Sequence, residues 1–338
     1  MLPKKILFTL PRAPGDTVAM TALIRDLKRA RPDIELRVRA TGDDQLLAYS
    51  PYLGGNNTGD LRDFTEHRCD YRPGLDGCKL GMALTYLEEY HRDLFRKYDE
   101  KIPLTEPRPD LHLSDKEKTE RPLAGRYWVV NAGHKSDMTV KGWSGKGYQQ
   151  VVDWLNGKGL LAAQVGCTDI SDRLKHFNHQ LTGAVDLVGK TSLRQLMHLI
   201  YHADGVVCGP TMSMLIAAAF WRPCVCIAGG RENWTWLAFS RDNPAWGDLA
   251  EKIVVPHRLL HTIGQLDCCQ SRGCYTAQVI QPHRDSQFPD NFLCKRPVTK
   301  PGETPLPECM ARISAEGVCA AIDSYYTNGT LPPLDGRG

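Results

Sequence analysis

Residues 5–38, KILFTLPRAPGDTVAMTALIRDLKRARPDIELRV, carry the clearest structural signal in this chain. The run at 5–10 is short and apolar, as in a strand buried in a parallel sheet, and residues 11–15 hold the prolines and glycine of a turn. From residue 17 to residue 30 apolar side chains recur at helical spacing, and Asp16 stands where an N-cap residue would. Residues 34–38 then alternate as in a second strand. The segment therefore predicts a β-α-β unit.

The alternation of strands and helices resumes in the second half of the chain. Residues 41–118 are less regular, and only 82–98 has a convincing helical pattern. Residues 116–125, KEKTERPLAG, are polar and read as a linker. Strands are then predicted at 127–131, 161–165, 205–208 and 224–228, and helices at 148–156, 192–203 and 212–220. Two doubly wound α/β halves follow from this order.

This reading divides the chain into four parts. Residues 1–118 form an N-terminal Rossmann-like domain, and residues 126–265 form a C-terminal one. Residues 266–326 form a cysteine-rich segment that ends in a helix, and residues 327–338 form a flexible tail.

Composition limits the class of protein. The chain has 338 residues, 42% of them hydrophobic, and 42 basic against 39 acidic residues, which gives a net charge of +3. Charges of both signs are mixed along the chain, so neither nucleic acid nor a membrane surface is predicted as a partner. The first residues lack the apolar core of a signal peptide, and no apolar run approaches the roughly 20 residues of a membrane span. We therefore expect a cytoplasmic protein without a transmembrane segment. The composition is also compatible with an oligomer.

Five of the twelve cysteines lie close together in the sequence. They form what we call the cysteine cluster: Cys268, Cys269, Cys274, Cys294 and Cys309. In a cytosolic chain such a group indicates metal binding or redox chemistry rather than a disulfide staple. The intervening loop has little periodic apolar pattern, so a bound ion would supply the order that packing does not. The alternative is a set of free thiols.

Four segments resemble the ADP-heptose heptosyltransferases of glycosyltransferase family 9. They are ILFTLPRAPGDTVAMTALIRDLKRARPD at 6–33, VVNAGHKSDMTVKGWSGKGYQQVVDWL at 129–155, VDLVGKTSLRQLMHLIYHADGVV at 185–207 and CGPTMSMLIAAAFWRPCVCIAGG at 208–230. The resemblance implies a GT-B fold, in which two Rossmann-like domains face a cleft. It also implies an inverting transfer of a sugar, heptose in the family, from an ADP-sugar held by the C-terminal domain. The acceptor would be a lipopolysaccharide core sugar or a protein hydroxyl, held by the N-terminal domain.

One segment departs from the family pattern. Residues 209–215 read Gly-Pro-Thr-Met-Ser-Met-Leu, where the family usually has Asn-Asp-Thr-Gly-x-x-His. Pro210 stands for the aspartate and Leu215 for the histidine. A rival interpretation is therefore a catalytically inactive GT-B relic that serves as a nucleotide-binding or protein-binding module.

Asp16 is the candidate catalytic residue. It follows a turn at the carboxyl end of the first strand, which is where open α/β sheets place their ligands. A carboxylate there is able to take the proton of an attacking hydroxyl, and the resemblance gives Asp16 this role of general base. The alternative is a plain helix N-cap.

The candidate nucleotide-sugar residues lie in the second domain. Lys135 and Lys141 follow its first strand, where a cation would neutralise a diphosphate. Main-chain N–H groups of Thr211, Met212 and Ser213 are placed to bind phosphate at a helix N-terminus, or the helix is merely capped there.

Further nucleotide contacts follow from the resemblance alone. It places Gly189, Lys190 and Thr191 in an adenosine pocket and makes Asp169 a partner of the ribose. It also favours a structural iron or zinc on Cys269, Cys274, Cys294 and Cys309, since related autotransporter heptosyltransferases carry a four-cysteine iron finger in this region. Cys268 is a fifth thiol that leaves the ligand set open. Because the chain has no Asp-x-Asp triplet, we expect no catalytic metal.

Overall fold

Two parallel β-sheets with helices packed on them organise the protein. The structure is a computed structural model that describes residues 1–53, 60–168, 175–270, 272–280, 292–299 and 301–334. The strands are β1 (Lys5–Leu10), β2 (Glu35–Ala40), β3 (Thr65–Arg68), β4 (Tyr127–Asn131), β5 (Gly133–Lys135), β6 (Leu161–Val165), β7 (His176–Asn178), β8 (Val185–Asp186), β9 (Gly205–Cys208), β10 (Cys224–Gly229), β11 (Arg258–His261), β12 (Pro297–Val298) and β13 (Leu306–Pro307). The helices are α1 (Pro14–Ala30), α2 (Asp43–Leu46), α3 (Arg72–Lys79), α4 (Tyr86–Tyr98), α5 (Asp115–Thr119), α6 (Gly145–Gly157), α7 (Leu193–His202), α8 (Met212–Ala219), α9 (Trp234–Leu237), α10 (Glu308–Ala311) and α11 (Ala315–Thr327).

The first sheet confirms the predicted β-α-β unit. Its order is β2-β1-β3, and β1 pairs in parallel with both neighbours. Helix α1 is buried from residue 17 to residue 27 because it lies between the two halves of the protein. It packs against α4 on one side and against α8 of the second half on the other.

The second sheet has the strand order of a Rossmann fold. Its six parallel strands run β11-β10-β9-β4-β6-β8, so the chain reverses direction across the sheet between β4 and β9. Ligands of such sheets bind at this reversal, beyond the carboxyl ends of the strands. The loops after β4 and β9 are therefore the ones that face a binding crevice, and both were predicted to do so.

Alternation along β4 builds the core on both faces of this sheet. Tyr127 and Val129 pack into one buried cluster, and Trp128 and Val130 pack into the other. This follows from the two-residue period of a strand. The first cluster continues through α8 into α1, so one apolar core joins the two halves.

Two sequence predictions need correction. Helix α4 begins at Tyr86 rather than at residue 82, because the Thr85 hydroxyl accepts a hydrogen bond from the Glu88 N–H at 3.2 Å and caps the helix there. Residues 116–125 are not simply a linker. They include most of α5, and Glu117 accepts a 2.5 Å hydrogen bond from Arg194 of α7.

The C-terminal helix belongs to the packing of the second sheet. Helix α11 packs against α6 and β10, and the Trp128 indole donates to the Tyr326 hydroxyl at 2.7 Å. Arg126 donates to the carbonyls of Pro332 and Pro333 at 3.0 Å each, so the first part of the predicted tail contacts the body. Residues 335–338 lie outside the described residues, and the four-part division of the chain stays a prediction. Across the described ranges, no helix has the length and apolar character needed to cross a membrane.

Candidate active site

The N-terminus of α1 forms the first side of the candidate site. Pro14 is the first helical residue, which suits its fixed φ and its missing N–H. The N-cap residue is Ala13, whose backbone N–H donates to Oδ2 of Asp16 at 3.1 Å. The expectation that Asp16 is the N-cap is therefore wrong. Asp16 is the third residue of the helix, and its carboxylate satisfies the backbone N–H of the N-cap residue. The helix dipole also favours a negative charge at this position.

Two tyrosines of α4 hold Asp16. The Tyr86 hydroxyl donates a short hydrogen bond to Oδ1 of Asp16, and the Tyr90 hydroxyl donates to the Asp16 main-chain carbonyl at 3.2 Å. Burial raises the pKa of Asp16, and the hydrogen bonds from Tyr86 and Ala13 together with the Arg12 charge offset only part of that rise. The result is a partly buried carboxyl group that is more basic than an exposed aspartate.

The N-terminus of α8 forms the second side. Its N-cap residue Thr211 makes no side-chain cap, and within the described chain its buried Oγ1 has no hydrogen-bond partner. The Ser213 hydroxyl accepts a 3.1 Å hydrogen bond from the Asn131 amide and is 1% exposed, so that side chain points into the core. The first turn of α8 carries no acidic residue. What residues 211–213 offer to an anion is therefore mainly backbone.

These two helix ends lie against each other. A Cβ added at Gly15 would lie 3.5 Å from both the Cα and the Cβ of Met212. The Lys135 charge, at the end of β5, acts on Asp16 and lowers its pKa against the larger effect of burial. Asp16, Lys135 and the turn before α8 are thus brought together from the two halves of the chain.

Lys141 lies beneath the turn before α8. Its Nζ donates to the Pro210 carbonyl at 3.3 Å and lies 3.5 Å from Oε1 of Glu232. Arg231 forms a second ion pair with the same carboxylate. Burial alone would raise the pKa of Glu232, but Lys141 and Arg231 outweigh it and hold that pKa below its usual range. Lys141 is therefore fixed beside residues 209–211, as its predicted role requires.

The predicted adenosine residues lie in an exposed turn after β8. Gly189 has a φ of +68°, and an added Cβ would meet the Thr168 methyl at 2.7 Å, so the position requires glycine. Lys190 donates to Oδ2 of Asp186 at 2.6 Å, and Thr191 is half-buried. Asp169, the predicted ribose partner, lies outside the described residues.

All five thiols of the cysteine cluster line one cavity. Its volume is about 190 Å³, and the lining also includes Arg231, Thr276 and Glu308. Burial raises the pKa of Cys309 to about 12 and that of Cys269 to about 11. Within the described chain, no three of these sulfur atoms lie within 4.8 Å of one another. The donor set suits a thiolate-bound ion, but the thiols would have to move together to bind one.

An aromatic group beside Asp16 was not predicted from the sequence. Tyr71 and Tyr86 have ring centroids 5.1 Å apart, and Tyr86 lies 5.2 Å from Trp236 of the second half. The Arg12 guanidinium lies 5.0 Å from the centre of the Tyr71 ring. The four-residue spacing of Tyr86 and Tyr90 on a predicted helix was a signal that they share a face, but nothing in the sequence connects that face with Asp16.

Glu232 was also missed. A signal for it existed, because a charged residue that follows a buried strand and a Gly-Gly turn lies at the ligand edge of a parallel sheet.

Comparisons with known proteins agree with this architecture. Residues 85–248 match the model of glycosyltransferase family 9 (heptosyltransferase). No curated protein sequence matches the chain. The matched stretch contains Tyr86, Lys135, Lys141 and the turn before α8, and it begins after Asp16.

Solved structures share the fold at low sequence identity. A family-9 glycosyl transferase from Veillonella parvula is 12% identical, with a TM-score of 0.61 over 96% of this chain and 98% of its own. The iron-containing dodecameric glycosyltransferase TibC from enterotoxigenic E. coli is 17% identical, with a TM-score of 0.61 over 96% of this chain and 77% of its own. The E. coli ADP-heptose lipopolysaccharide heptosyltransferase II is 15% identical, with a TM-score of 0.59 over 97% and 100%. The protein thus has the GT-B fold, and the match of residues 85–248 to the family-9 model supports its identification as a glycosyltransferase.

Proposed function

We propose that this protein transfers heptose from an ADP-heptose to a hydroxyl acceptor with inversion at the anomeric carbon. One observation carries the proposal. A partly buried carboxylate in the first turn of α1 lies near the N-terminus of α8, which has no side-chain cap, and a Cβ added at Gly15 would lie 3.5 Å from Met212. A base for the acceptor and a binding site for the leaving diphosphate therefore come from opposite halves of one cleft.

Asp16 is the general base of this reaction. The acceptor oxygen attacks the anomeric carbon while the bond from that carbon to the diphosphate oxygen breaks on the opposite face. The acceptor proton passes to Asp16, and ADP leaves with the bonding electrons. A carboxylate with a raised pKa binds a proton more readily than an ordinary aspartate does, which suits this step. Tyr86 orients it.

The diphosphate binds at the N-terminus of α8. Main-chain N–H groups of Thr211, Met212 and Ser213 are the donors, and helix α8 supplies the positive end of its dipole. Lys135 and Lys141 are the cations that neutralise the leaving group. The Lys135 charge acts on Asp16 beside this turn, and Lys141 donates to the Pro210 carbonyl within the turn. Loss of the family's aspartate and histidine at Pro210 and Leu215 leaves these main-chain donors intact.

The adenosine is proposed to contact the turn Gly189, Lys190 and Thr191, with Asp169 at the ribose. Lys190 is ion-paired with Asp186 and exposed, so it is available only after that pair opens. The acceptor is a lipopolysaccharide core sugar or a protein hydroxyl.

Cys269, Cys274, Cys294 and Cys309 are proposed to hold a structural iron or zinc. Their shared cavity supports this, and the TibC structure is described as iron-containing. The ion would order the loop between Cys274 and Cys309 and take no part in sugar transfer. Elemental analysis of protein purified without chelators tests it. We expect these cysteines to bind about one iron or zinc per chain, and Cys274→Ser to lose it. An unchanged metal content in Cys274→Ser protein would exclude the site.

The proposed reaction is tested by incubation with nucleotide-sugars. We expect ADP-heptose, and not the UDP-sugars or GDP-sugars offered beside it, to be consumed in the presence of lipopolysaccharide core acceptor or an acceptor protein, with ADP as product. Inversion is read from the anomeric configuration of the product. Tight binding of ADP without transfer to either acceptor would favour the inactive relic instead.

A further inference from the structure

The N-terminal domain contains two buried histidine–aspartate pairs that differ in one respect. His67 of β3 has its Nε2 2.9 Å from Oδ2 of Asp93 in α4. His91, also in α4, has its Nε2 3.1 Å from Oδ2 of Asp26 in α1. Both rings are buried, with 1% of His67 and 4% of His91 exposed. Because the two pairs are similar in burial and geometry, the hydrogen bonds of His91 serve as a reference for those of His67.

Hydrogen bonds complete the surroundings of His91. Its second ring nitrogen, Nδ1, bonds the Leu87 carbonyl at 3.1 Å. Asp26 also accepts from Arg25 and from the Thr105 hydroxyl. Every polar atom of this imidazole therefore has a partner, and the group is explained as a hydrogen-bonded core network.

The surroundings of His67 are not complete in this way. Its Nδ1 is buried and has no hydrogen-bond partner in the described part of the chain. The centroid of the His67 ring lies 5.5 Å from that of Phe8 and 5.6 Å from that of Tyr98, so the ring packs against two aromatic side chains. A polar atom that is buried without a partner lowers the stability of a protein, so this nitrogen calls for a ligand or an explanation.

A buried thiol lies beside this pair. Cys69 is 2% exposed, and its backbone N–H donates to the Thr9 carbonyl at 3.0 Å, which extends the ladder of β3 by one residue. Because side chains alternate along a strand, Cys69 projects from the same face as His67. One ring nitrogen of His67, the Cys69 sulfur and one carboxylate oxygen of Asp93 all lie within 4.8 Å of one another. No other group of three or more such donors in the described ranges meets this distance.

We propose that His67, Cys69 and Asp93 form a binding site for a divalent cation of the zinc class. Nitrogen, sulfur and oxygen donors from these three residue types are those that zinc accepts, at about 2.0–2.3 Å each. Ligand atoms around such an ion are about 3–4 Å apart, so shifts of about an ångström close the site. The Cys69 proton leaves when the ion binds, since the thiolate is the ligand.

The site is structural, and it is separate from the other sites described above. It ties β3, next to the central strand of the first sheet, to the middle of α4. The same helix carries Tyr86 and Tyr90, which hold Asp16. The donors belong to residues 67–93, whereas the cysteine cluster begins at Cys268. The inference does not rest on sugar transfer.

Zinc stoichiometry in matched cysteine variants tests the site. Protein is stripped with a chelator, reloaded with zinc chloride and analysed for metal. Cys78→Ser is the control, because Cys78 is a fully buried thiol of the same domain outside the three-residue group. We expect Cys69→Ser to hold one zinc per chain fewer than Cys78→Ser, both in the otherwise intact chain and in Cys274→Ser protein. Equal zinc content of the two variants would overturn the proposal.

A second variant decides the matter if Cys69→Ser does not fold. Asp93→Asn keeps an oxygen that can accept from His67 and from the Asp70 N–H, so these two hydrogen bonds persist and only the exposed contact with Arg96 is lost. It lacks the negative charge that an ion needs. We expect its zinc affinity, measured by chelator competition in the Cys274→Ser protein, to fall at least tenfold. The same affinity as in the Cys274→Ser parent would refute the site.

Discussion

The N-termini of α1 and α8 are alike in local structure and opposite in charge. Each helix follows a parallel strand and a proline-containing turn, and the two ends touch between Gly15 and Met212. At the N-terminus of α1, the carboxylate of Asp16 accepts a hydrogen bond from the Ala13 N–H. The end of α8 has no side-chain cap and no acidic residue in its first turn. One helix end thus holds a carboxylate, and the other has neither a side-chain cap nor an acidic residue.

This difference shows that the residues in the first turn of the helix, and not the strand-turn-helix motif alone, determine which charged group the helix end can hold. The same dipole stabilises an internal carboxylate in α1 and favours an external phosphate at α8. The neighbouring groups agree with this division, since Lys141 donates to the Pro210 carbonyl in the turn before α8, whereas the Asp16 carboxylate accepts from the Tyr86 hydroxyl.

Removing the base from α1 should have the largest effect. In Asp16→Asn the amide oxygen still accepts from Ala13, but the proton acceptor is lost. We expect transfer to fall by roughly 10²–10⁴-fold, with ADP affinity and the free energy of unfolding little changed. Turnover assays, calorimetry with ADP and thermal unfolding measure the three quantities. The control is Asp153→Asn, an exposed carboxylate on α6. Normal transfer by Asp16→Asn would make Asp16 a helix-end residue and nothing more.

Removing the cation beside α8 should have the next largest effect. Lys141→Ala should weaken ADP binding by roughly 1.5–3 kcal/mol, or about 10- to 150-fold, the range for a hydrogen bond to a charged group. Glu232 keeps Arg231 as a partner, so the variant should fold. Calorimetry with ADP measures the loss, and exposed Lys158 is the control position. Unchanged affinity would assign Lys141 to the Glu232 ion pair alone.

A carboxylate at the N-terminus of α8, as in α1, should repel the diphosphate of ADP. Thr211→Asp places a carboxylate at the N-cap of α8, where aspartate caps at least as well as threonine. We expect the protein to be as stable as before and to bind ADP roughly tenfold more weakly, because like charges repel at close range. Thr211→Ser is the neutral control. An aspartate variant that binds ADP like wild type would show that the diphosphate does not lie at this helix end.

The smallest effect concerns the tyrosine that holds the base. The Tyr86 hydroxyl stabilises the charged form of Asp16, so Tyr86→Phe should raise the pKa of Asp16 further. Transfer requires the deprotonated base and falls as pH falls through that pKa. The acid limb of the pH-rate profile should therefore move to higher pH, with a loss of roughly two- to tenfold in rate for one hydrogen bond.

Tyr90→Phe is the matched control for that experiment. Tyr90 donates to the main-chain carbonyl of Asp16 and not to its carboxylate. Its removal should leave the acid limb in place. If Tyr86→Phe and Tyr90→Phe give the same profile, the tyrosines act on the position of α1 and not on the ionisation of Asp16.

Much of the fold was predictable because its signals are local. The apolar run of β1, the helical period of α1 and the later alternation of strands with α6, α7 and α8 are all read within about ten residues. Boundaries were less predictable. The start of α4 depends on the cap at Thr85. Helix α1 begins at Pro14, so Asp16 is its third residue and not the predicted N-cap.

The two α/β halves, the position of Asp16 after the first strand, the position of Lys141 in the segment that follows the first strand of the second half, and the crowding of five cysteines can all be read from the sequence. The partners of these groups depend on tertiary packing. Tyr86 reaches Asp16 across 70 positions of sequence, and His67 meets Asp93 across 26. The physical reason is that hydrophobic periodicity fixes which face of an element is buried, whereas the partner of a polar group depends on how separate elements pack. Contacts of that kind set basicity and ligand geometry, and they carry the functional proposals made for this protein.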